Sequence, residues 1–395
     1  MLQGLLALPR TVWLIGLISL VNDSASEMIY PLVPLYLSSM LMAGPKALGL
    51  IEGVAEATSS LLKLVSGVIV DRTRRIKPWV VGGYALAGIG RPLIALATSW
   101  VGVLVIRFAD RLGKGLRNSP RDALLARSIT NNTRGLAFGV HRAMDNAGAV
   151  LGPLLAALFL GLGFTLREVF AIAIVPAVLC LLLTLALREP PAQAAEPPAA
   201  PFDWAVSTLA PSFRHYLLTL ALFTLGNSSN MFLLLRAREL GLPQAQVPLA
   251  WATVAVFAML FSTPLSAWSD RIGRRRLIVG GWLAYGGFYL ALGWLGPGSP
   301  LVVFGLFALY GVSIAATEGA EKALVADLTP PARLGTAYGW FNLVGGALLL
   351  PASLVFGWLY ERAGAAAAFS FSAACALAAS ALLWLWVRMP VSAAR

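Results

Sequence analysis

Residues 18–31, Ile18-Ser19-Leu20-Val21-Asn22-Asp23-Ser24-Ala25-Ser26-Glu27-Met28-Ile29-Tyr30-Pro31, read ISLVNDSASEMIYP. They lie inside a segment, 12–38, that is otherwise lipid-soluble. If that segment crosses a bilayer, its two carboxylates need a polar interior to face, because a charged side chain turned toward lipid costs several kcal/mol. Such an interior exists only in a bundle of many helices. The remaining sequence decides for the bilayer. Of 395 residues, 58% are hydrophobic and only 12% charged. Apolar runs of about 20 residues follow one another with short polar breaks, the signature of a polytopic helical membrane protein. A soluble chain carries about twice that share of charge to cover its surface.

The runs predict twelve membrane helices, near 12–38, 47–70, 78–98, 100–121, 137–162, 166–187, 214–236, 246–268, 277–296, 300–325, 336–360 and 366–387. The fold class is therefore all-α and membrane-integral. The residues before the first span are too few and too weakly basic for a cleavable signal, so the first span is expected to serve as the targeting element. A net charge of +12 suggests a nucleic-acid partner, but the positions reject it. With both termini taken as cytoplasmic, Lys and Arg outside the spans crowd into the cytoplasmic segments, which is the positive-inside rule. Cys180 and Cys375 each sit in an apolar span, and His141 and His215 are isolated, so neither a disulfide framework nor a metal site is expected. No Gly-rich phosphate loop with Lys and Ser/Thr appears, so no nucleotide cofactor is expected.

A Pro/Ala-rich stretch, REPPAQAAEPPAAP (188–201), divides the chain and reads as a semi-extended cytoplasmic linker. The predicted organisation is a six-helix bundle over 1–187, a linker over 188–211 and a second six-helix bundle over 212–395. The halves repeat each other. DRTRR (Asp71–Arg75) ends the second span and DRIGRRR (Asp270–Arg276) ends the eighth. LVNDS (Leu20–Ser24) matches LGNSS (Leu225–Ser229), and ALLARSITNNTRGLAFG, ending at Gly139, parallels ALVADLTPPARLGTAYG, ending at Gly339. Repeats of this kind place a substrate site at their interface near the midplane.

With these features the chain resembles the major facilitator superfamily over essentially its whole length. Gly67, Asp71, Arg72 and Arg75 resemble that family's signature loop between its second and third helices; the second copy has Ser266 at the glycine position. Arg107-Phe108-Ala109-Asp110-Arg111-Leu112-Gly113 resembles its fourth-helix motif, with Asp110 at the usual Gln and Arg111 at a usual Gly. Gly148-Ala149-Val150-Leu151-Gly152-Pro153 resembles the fifth-helix motif associated with antiporters. The resemblance implies a transporter rather than an enzyme, working by alternating access.

Asp23 and Glu27, four residues apart, share one helix face. Close carboxylates in a low dielectric favour retention of a proton by one of them, which suits a proton carrier. Permanent ion pairs to the fourth span are the alternative. That span carries Arg107, Asp110, Arg111, Lys114, Arg117 and Arg121 every three or four residues, one charged stripe that either lines a cavity or pairs internally. Glu52, Glu56 and Lys63 in the second span, Arg91 in the third, and Arg142 and Asp145 in the fifth add to it. The first half holds most of the charges within spans; near-neutral pairing is what a buried charge network requires.

The second half supplies mainly polar and aromatic groups. Asn227, Ser228, Ser229 and Asn230 interrupt the seventh span, where they either loosen the helix and bind substrate or join helices. Glu318, Glu321 and Lys322 are its charges within spans, and Tyr310, Trp340, Phe341 and Asn342 either wall a cavity or pack as core. The proton-coupling set is then Glu27, Asp23, Asp110 and Asp145. The substrate set is Arg107, Arg111, Lys114, Arg142, Asn227, Asn230, Glu318 and Asn342. Gating candidates are Asp71, Arg72, Arg75, Asp122, Asp270, Arg271 and Arg274, which can latch the cytoplasmic helix ends.

The expectation is a monomeric, proton-driven secondary transporter in a prokaryotic inner (plasma) membrane, moving a small anionic or zwitterionic solute, with efflux favoured. Its partners are that solute, protons and membrane lipids. The rivals are an uncoupled facilitator or lipid flippase of the same fold, and a membrane receptor or assembly protein that does not transport.

Overall fold

The computed structural model describes residues 8–72, 76–128, 134–189, 209–330 and 333–387, and every regular element among them is a helix. The first span begins as α1 (Arg10–Ile29), tightens into a 3-10 turn at Tyr30–Leu32, and resumes as α2 (Val33–Ser39). Pro31 and Pro34 explain the change of pitch: neither has an N–H for the helical ladder. There follow α3 (Pro45–Arg72), α4 (Lys77–Leu93) and α5 (Trp100–Arg127), whose start is capped by Ser99 Oγ accepting from the Gly102 N–H. Next come α6 (Arg134–Gly161), α7 (Leu166–Ile172) and α8 (Ile174–Leu185). A reciprocal Thr165–Glu168 capping box starts α7.

In the second half the polar run splits the seventh span. α9 (Pro211–Gly226) stops at Asn227 (φ −91°, ψ 78°), and α10 (Met231–Glu239) starts after Asn230. The remaining helices are α11 (Val247–Ile272), α12 (Arg274–Trp294), α13 (Pro300–Asp327), α14 (Leu334–Ala347) and α15 (Leu349–Trp386). Among the described residues, 9 helical stretches are long and apolar enough to cross a membrane. One of them, Thr336–Trp386, is 51 residues long and turns at Gly364, so it takes in two expected crossings. α3 and α5 have 28 residues each, ample for a crossing, and the charged stripe of α5 lowers its hydropathy. The set is consistent with twelve crossings.

Gly364 has φ 82° and ψ 173°, a conformation essentially closed to residues with a Cβ, yet no atom lies within 4 Å of where its Cβ would be. Gly364→Ala is therefore expected to cost about 1–3 kcal/mol through backbone strain alone. A melt of the detergent-solubilised protein checks this; an unchanged melting temperature would show that the turn does not depend on glycine.

The chain forms two compact units. One comprises Met1–Ala43, Val54–Ala200 and Gln244–Ala252; the other comprises Gly44–Gly53, Pro201–Pro243 and Thr253–Arg395. α3 thus contributes its first turns to the second unit, and α11 contributes its first turns to the first unit. The first unit is inverted relative to a soluble fold: Val175 and Leu182 of α8 are well exposed, whereas Arg91, Arg107, Asp110, Arg111 and Arg117 are each at most 4% exposed. That is the arrangement lipid demands, apolar side chains outward and polar groups satisfied inside. In the second unit, Arg236 of α10 donates to the carbonyls of Leu292, Gly293 and Leu295 at the end of α12, at 3.2, 3.3 and 2.7 Å. It also pairs with Glu239, which accepts from the Tyr360 hydroxyl at 2.6 Å.

Candidate functional site

In the first unit the site grows from the seam between α1 and α6. A Cβ at Gly148 would lie 2.8 Å from the Leu20 carbonyl oxygen and 3.0 Å from Asp23 Cβ. At Gly152 it would lie 2.6 Å from the Ser24 carbonyl oxygen and 2.8 Å from the Glu27 carbonyl carbon. The two glycines therefore bring α6 into backbone contact with α1 at the level of its carboxylates. Asp145, one turn before Gly148, faces Asp23 and Ser19, and its Oδ1 is buried without a hydrogen-bond partner.

The buried cations converge on Asp110. Arg91 Nε approaches Oδ1 at 3.1 Å, and Arg107 and Arg111 approach Oδ2 at 3.8 and 3.9 Å. Arg111 also pairs with Glu56 at 3.1 Å. Arg91 Nη1 donates to both the backbone and side-chain oxygens of Asn22, each at 3.0 Å, and Asn22 Nδ2 donates to Asp23 Oδ1 at 2.7 Å. One amide thus links the arginine hub to the α1 carboxylate. A buried charge set persists when its members are paired and hydrogen-bonded in this way.

Glu27 stands apart from the hub. Its Oε2 accepts from Trp251 Nε1 at 2.9 Å, and Lys114 and Arg111 act on it electrostatically. Tyr30 packs against the Trp251 ring at 5.4 Å and lies under the Arg107 guanidinium at 5.8 Å. Further along α5, Arg117 stacks on Tyr84 at 4.4 Å. Arg121 is paired with Asp122 at 3.0 Å and donates to Ser19 Oγ at 3.3 Å. Arg142 is exposed.

In the second unit the helix break is held by phenols. Tyr310 donates to Asn230 Oδ1 at 2.5 Å, and Tyr285 lies 3.2 Å from both Asn227 Oδ1 and the Gly226 carbonyl. Trp282 Nε1 donates to Glu321 at 2.9 Å. Glu318 is exposed and bonded to Lys322 at 2.9 Å. The amide of exposed Asn342 donates to the Tyr338 carbonyl of its own helix. Tyr310 is 3% exposed and stacks with Phe288, so it packs as core.

Of the gating candidates, Arg274 binds Asp327 at 3.4 Å and Ser269 at 2.7 Å, while Arg271 is exposed. The side chains of Asp71, Arg72, Arg75 and Asp270 lie outside the described residues, as do those of Lys63 and Ser266. Sequence reasoning missed Trp251, Asn22 and the Ser19–His141 contact of 2.9 Å. Asn22 adjoins Asp23 and could have been found; Trp251 sits in a distant span with nothing in the sequence to tie it to Glu27.

The sequence model of the Major Facilitator Superfamily matches residues 15–235 and 216–395, nearly the whole chain. The chain belongs to the Major Facilitator Superfamily. This superfamily chain is 35% identical over 361 residues to the MFS-type transporter MJ1317 of Methanocaldococcus jannaschii, covering 90% of this chain and 89% of that one. It is 27% identical over 347 residues to the multidrug resistance protein MdtH of Photorhabdus laumondii, with 84% and 82% coverage. Among solved structures, the nucleoside transporter NupG superimposes with a TM-score of 0.82 at 12% identity, covering 96% of this chain and all of that one. A bacterial homologue of the human lysosomal transporter Spinster, inward-facing and occupied, gives 0.76 at 18% identity, with 96% and 97% coverage. At such identities these two likenesses show the fold. The chain is a membrane-embedded member of a transporter family and not an enzyme.

Proposed function

We propose that this chain is a proton-coupled secondary transporter that exports a small anionic or zwitterionic solute from a prokaryotic cell, as a monomer in the plasma membrane with both termini inside. The observation that carries the coupling is the gathering of Asp23, Asp145 and Glu27 along the α1–α6 seam, beside a hub where the arginines are already engaged by Asp110 and Glu56. Carboxylates left outside the ion-pair hub can exchange a proton without dismantling it. Asp110, enclosed by three arginines, is the structural centre and not the carrier. Export is supported by the Gly148–Pro153 motif and by relatives named for multidrug resistance.

For the solute, Arg107, Arg111 and Lys114 provide positive potential, and Arg suits forked recognition of carboxylate or phosphate. Arg142 and the amide groups of Asn227, Asn230 and Asn342 add donors, and Glu318 adds an acceptor to the proposed substrate set. Asp71, Arg72 and Arg75 with Asp270, Arg271 and Arg274 are proposed to latch the cytoplasmic ends, joined by Asp122.

The test uses proteoliposomes holding a pH-sensitive dye, offered a panel of small carboxylates and ammonium-carboxylate zwitterions. Solute-driven proton movement is expected for the wild type and is lost in Glu27→Gln, Asp23→Asn and Asp145→Asn. Solute movement without proton movement would make the chain an uncoupled facilitator.

A further inference from the structure

Four polar side chains face each other across the α1–α6 seam. Ser19 and Asp23 are one turn apart on α1; His141 and Asp145 are one turn apart on α6, and a turn rises about 5.4 Å. The helices run parallel there, so Ser19 meets His141 and Asp23 meets Asp145 at successive levels, with Glu27 near Gly152 at the next. Ser19 is fully buried and His141 is 4% exposed. Both precede the carboxylates along helices that start at the same end of the unit, so they stand between that end and Asp145.

We propose that Ser19 and His141 form the relay through which protons reach and leave the Asp23–Asp145 pair, a proposal that rests on the proton-coupled reading above. The hydrogen-bond inventory makes Ser19 a directional connector. Arg121 Nη1 lies 3.3 Å from Ser19 Oγ and can only donate. One lone pair of the hydroxyl is therefore taken, and its own proton has two places to go: His141 Nε2, 2.9 Å away, or the Asp145 carboxylate that faces it. With neutral His141, Nε2 accepts the hydroxyl proton. With His141 protonated at Nε2, that N–H donates to Ser19 Oγ, and the hydroxyl proton turns toward Asp145.

Transfer then needs no displaced group. The Nε2–H bond breaks and its proton joins Ser19 Oγ, while the original hydroxyl proton passes to the Asp145 carboxylate. Imidazolium and carboxylate become imidazole and carboxylic acid, and the hydroxyl is regenerated. The charged groups around His141 are Asp23 from α1, Arg121 and Asp122 from α5, and Arg142 of its own helix. Arg121 and Asp122 pair with each other at 3.0 Å. Asp145 faces Asp23 and Ser19 and feels the charge of Arg121. Asp145 Oδ1, buried and without a hydrogen-bond partner, is the acceptor atom left open.

The experiment is a time-resolved infrared measurement of the purified protein after a rapid acid jump, following the carbonyl stretch of newly protonated carboxyl groups. The wild type is expected to show a band that Asp145→Asn removes. In His141→Gln and Ser19→Ala the band should reach the same final amplitude but appear about a hundredfold more slowly, the scale of a lost acid–base step. Gln keeps a group that can hydrogen-bond to Ser19, so His141→Gln is expected to fold, with an unchanged gel-filtration profile as the check. Ser19→Thr, which keeps the hydroxyl, should return the rate toward the wild type. A band forming at the wild-type rate in both His141→Gln and Ser19→Ala overturns the relay while leaving proton coupling in place. A wild type without any band sensitive to Asp145→Asn overturns the coupling itself and the relay with it.

Discussion

An Asp110→Ala variant is expected to lose about 3–5 kcal/mol of stability, because removing one member of a buried ion set leaves its partners as uncompensated buried charges. Here the carboxylate has three partners, Arg91, Arg107 and Arg111, all at most 4% exposed. Each guanidinium sits beside that one anion, and Arg111 also pairs with Glu56. The damage also travels. Arg91 loses the oxygen that orients it, and with it the pair of hydrogen bonds that hold Asn22 against Asp23.

The comparison variant is Asp122→Ala. Asp122 pairs with Arg121 at the same 3.0–3.1 Å range as Arg91 with Asp110, but its side chain is 49% exposed. Solvent screens such a pair, and its loss is expected to cost under about 1 kcal/mol. Denaturant or thermal melts of the two variants, at matched protein and detergent concentrations, separate geometry from burial as the source of stability. Asp110→Ala melting alongside Asp122→Ala would show that the arginine hub is solvated and contributes little to the fold.

The elements that were legible in the sequence are those whose meaning lies within one helix. Asp23 and Glu27 sit four apart, so a helical period alone puts them on one face, and the α5 stripe announces itself in the same way. The run Asn227–Asn230 is four polar residues in an apolar span, and the chain does leave the helix there. What escaped was pairing across large sequence separations. Asp23 and Asp145 were both singled out, but only packing makes them neighbours. His141 reads as solitary because its partner Ser19 lies 122 positions away. Glu27 reads as a proton carrier, with ion pairs to the fourth span as the alternative; it also accepts a hydrogen bond from Trp251, 224 positions away, which no local pattern signals. Arg121 has Asp122 and Ser19 among its partners, the second 102 positions away; the side chains of the Asp71–Arg75 loop lie outside the described residues.

Gly152 shows how packing converts such a motif into function. Glycines in a membrane span are common and carry no fixed meaning until their neighbours are known. Those of Gly152 are the Ser24 carbonyl oxygen, the Met28 nitrogen and the Glu27 carbonyl carbon, at 2.6, 2.7 and 2.8 Å from an added Cβ. All three are backbone atoms of α1 and cannot swing aside as a side-chain tip would. A single methyl therefore has to push the two helices apart, and overpacking of this kind costs about 1–3 kcal/mol. Gly139 lies in the same helix with nothing within 4 Å. There alanine relieves only the helix-interior entropy cost of glycine and is expected to be neutral or to stabilise by up to about 1 kcal/mol. The displacement at Gly152 falls beside Glu27, one level along the seam from where Asp23 meets Asp145, so Gly152→Ala is also expected to lower proton-coupled transport further than its loss of folded protein explains. Gly139→Ala should leave coupling intact. Equal melts for the two alanine variants would mean that α1 and α6 are not held in backbone contact, and the carboxylate pairing that depends on that contact would fall with it.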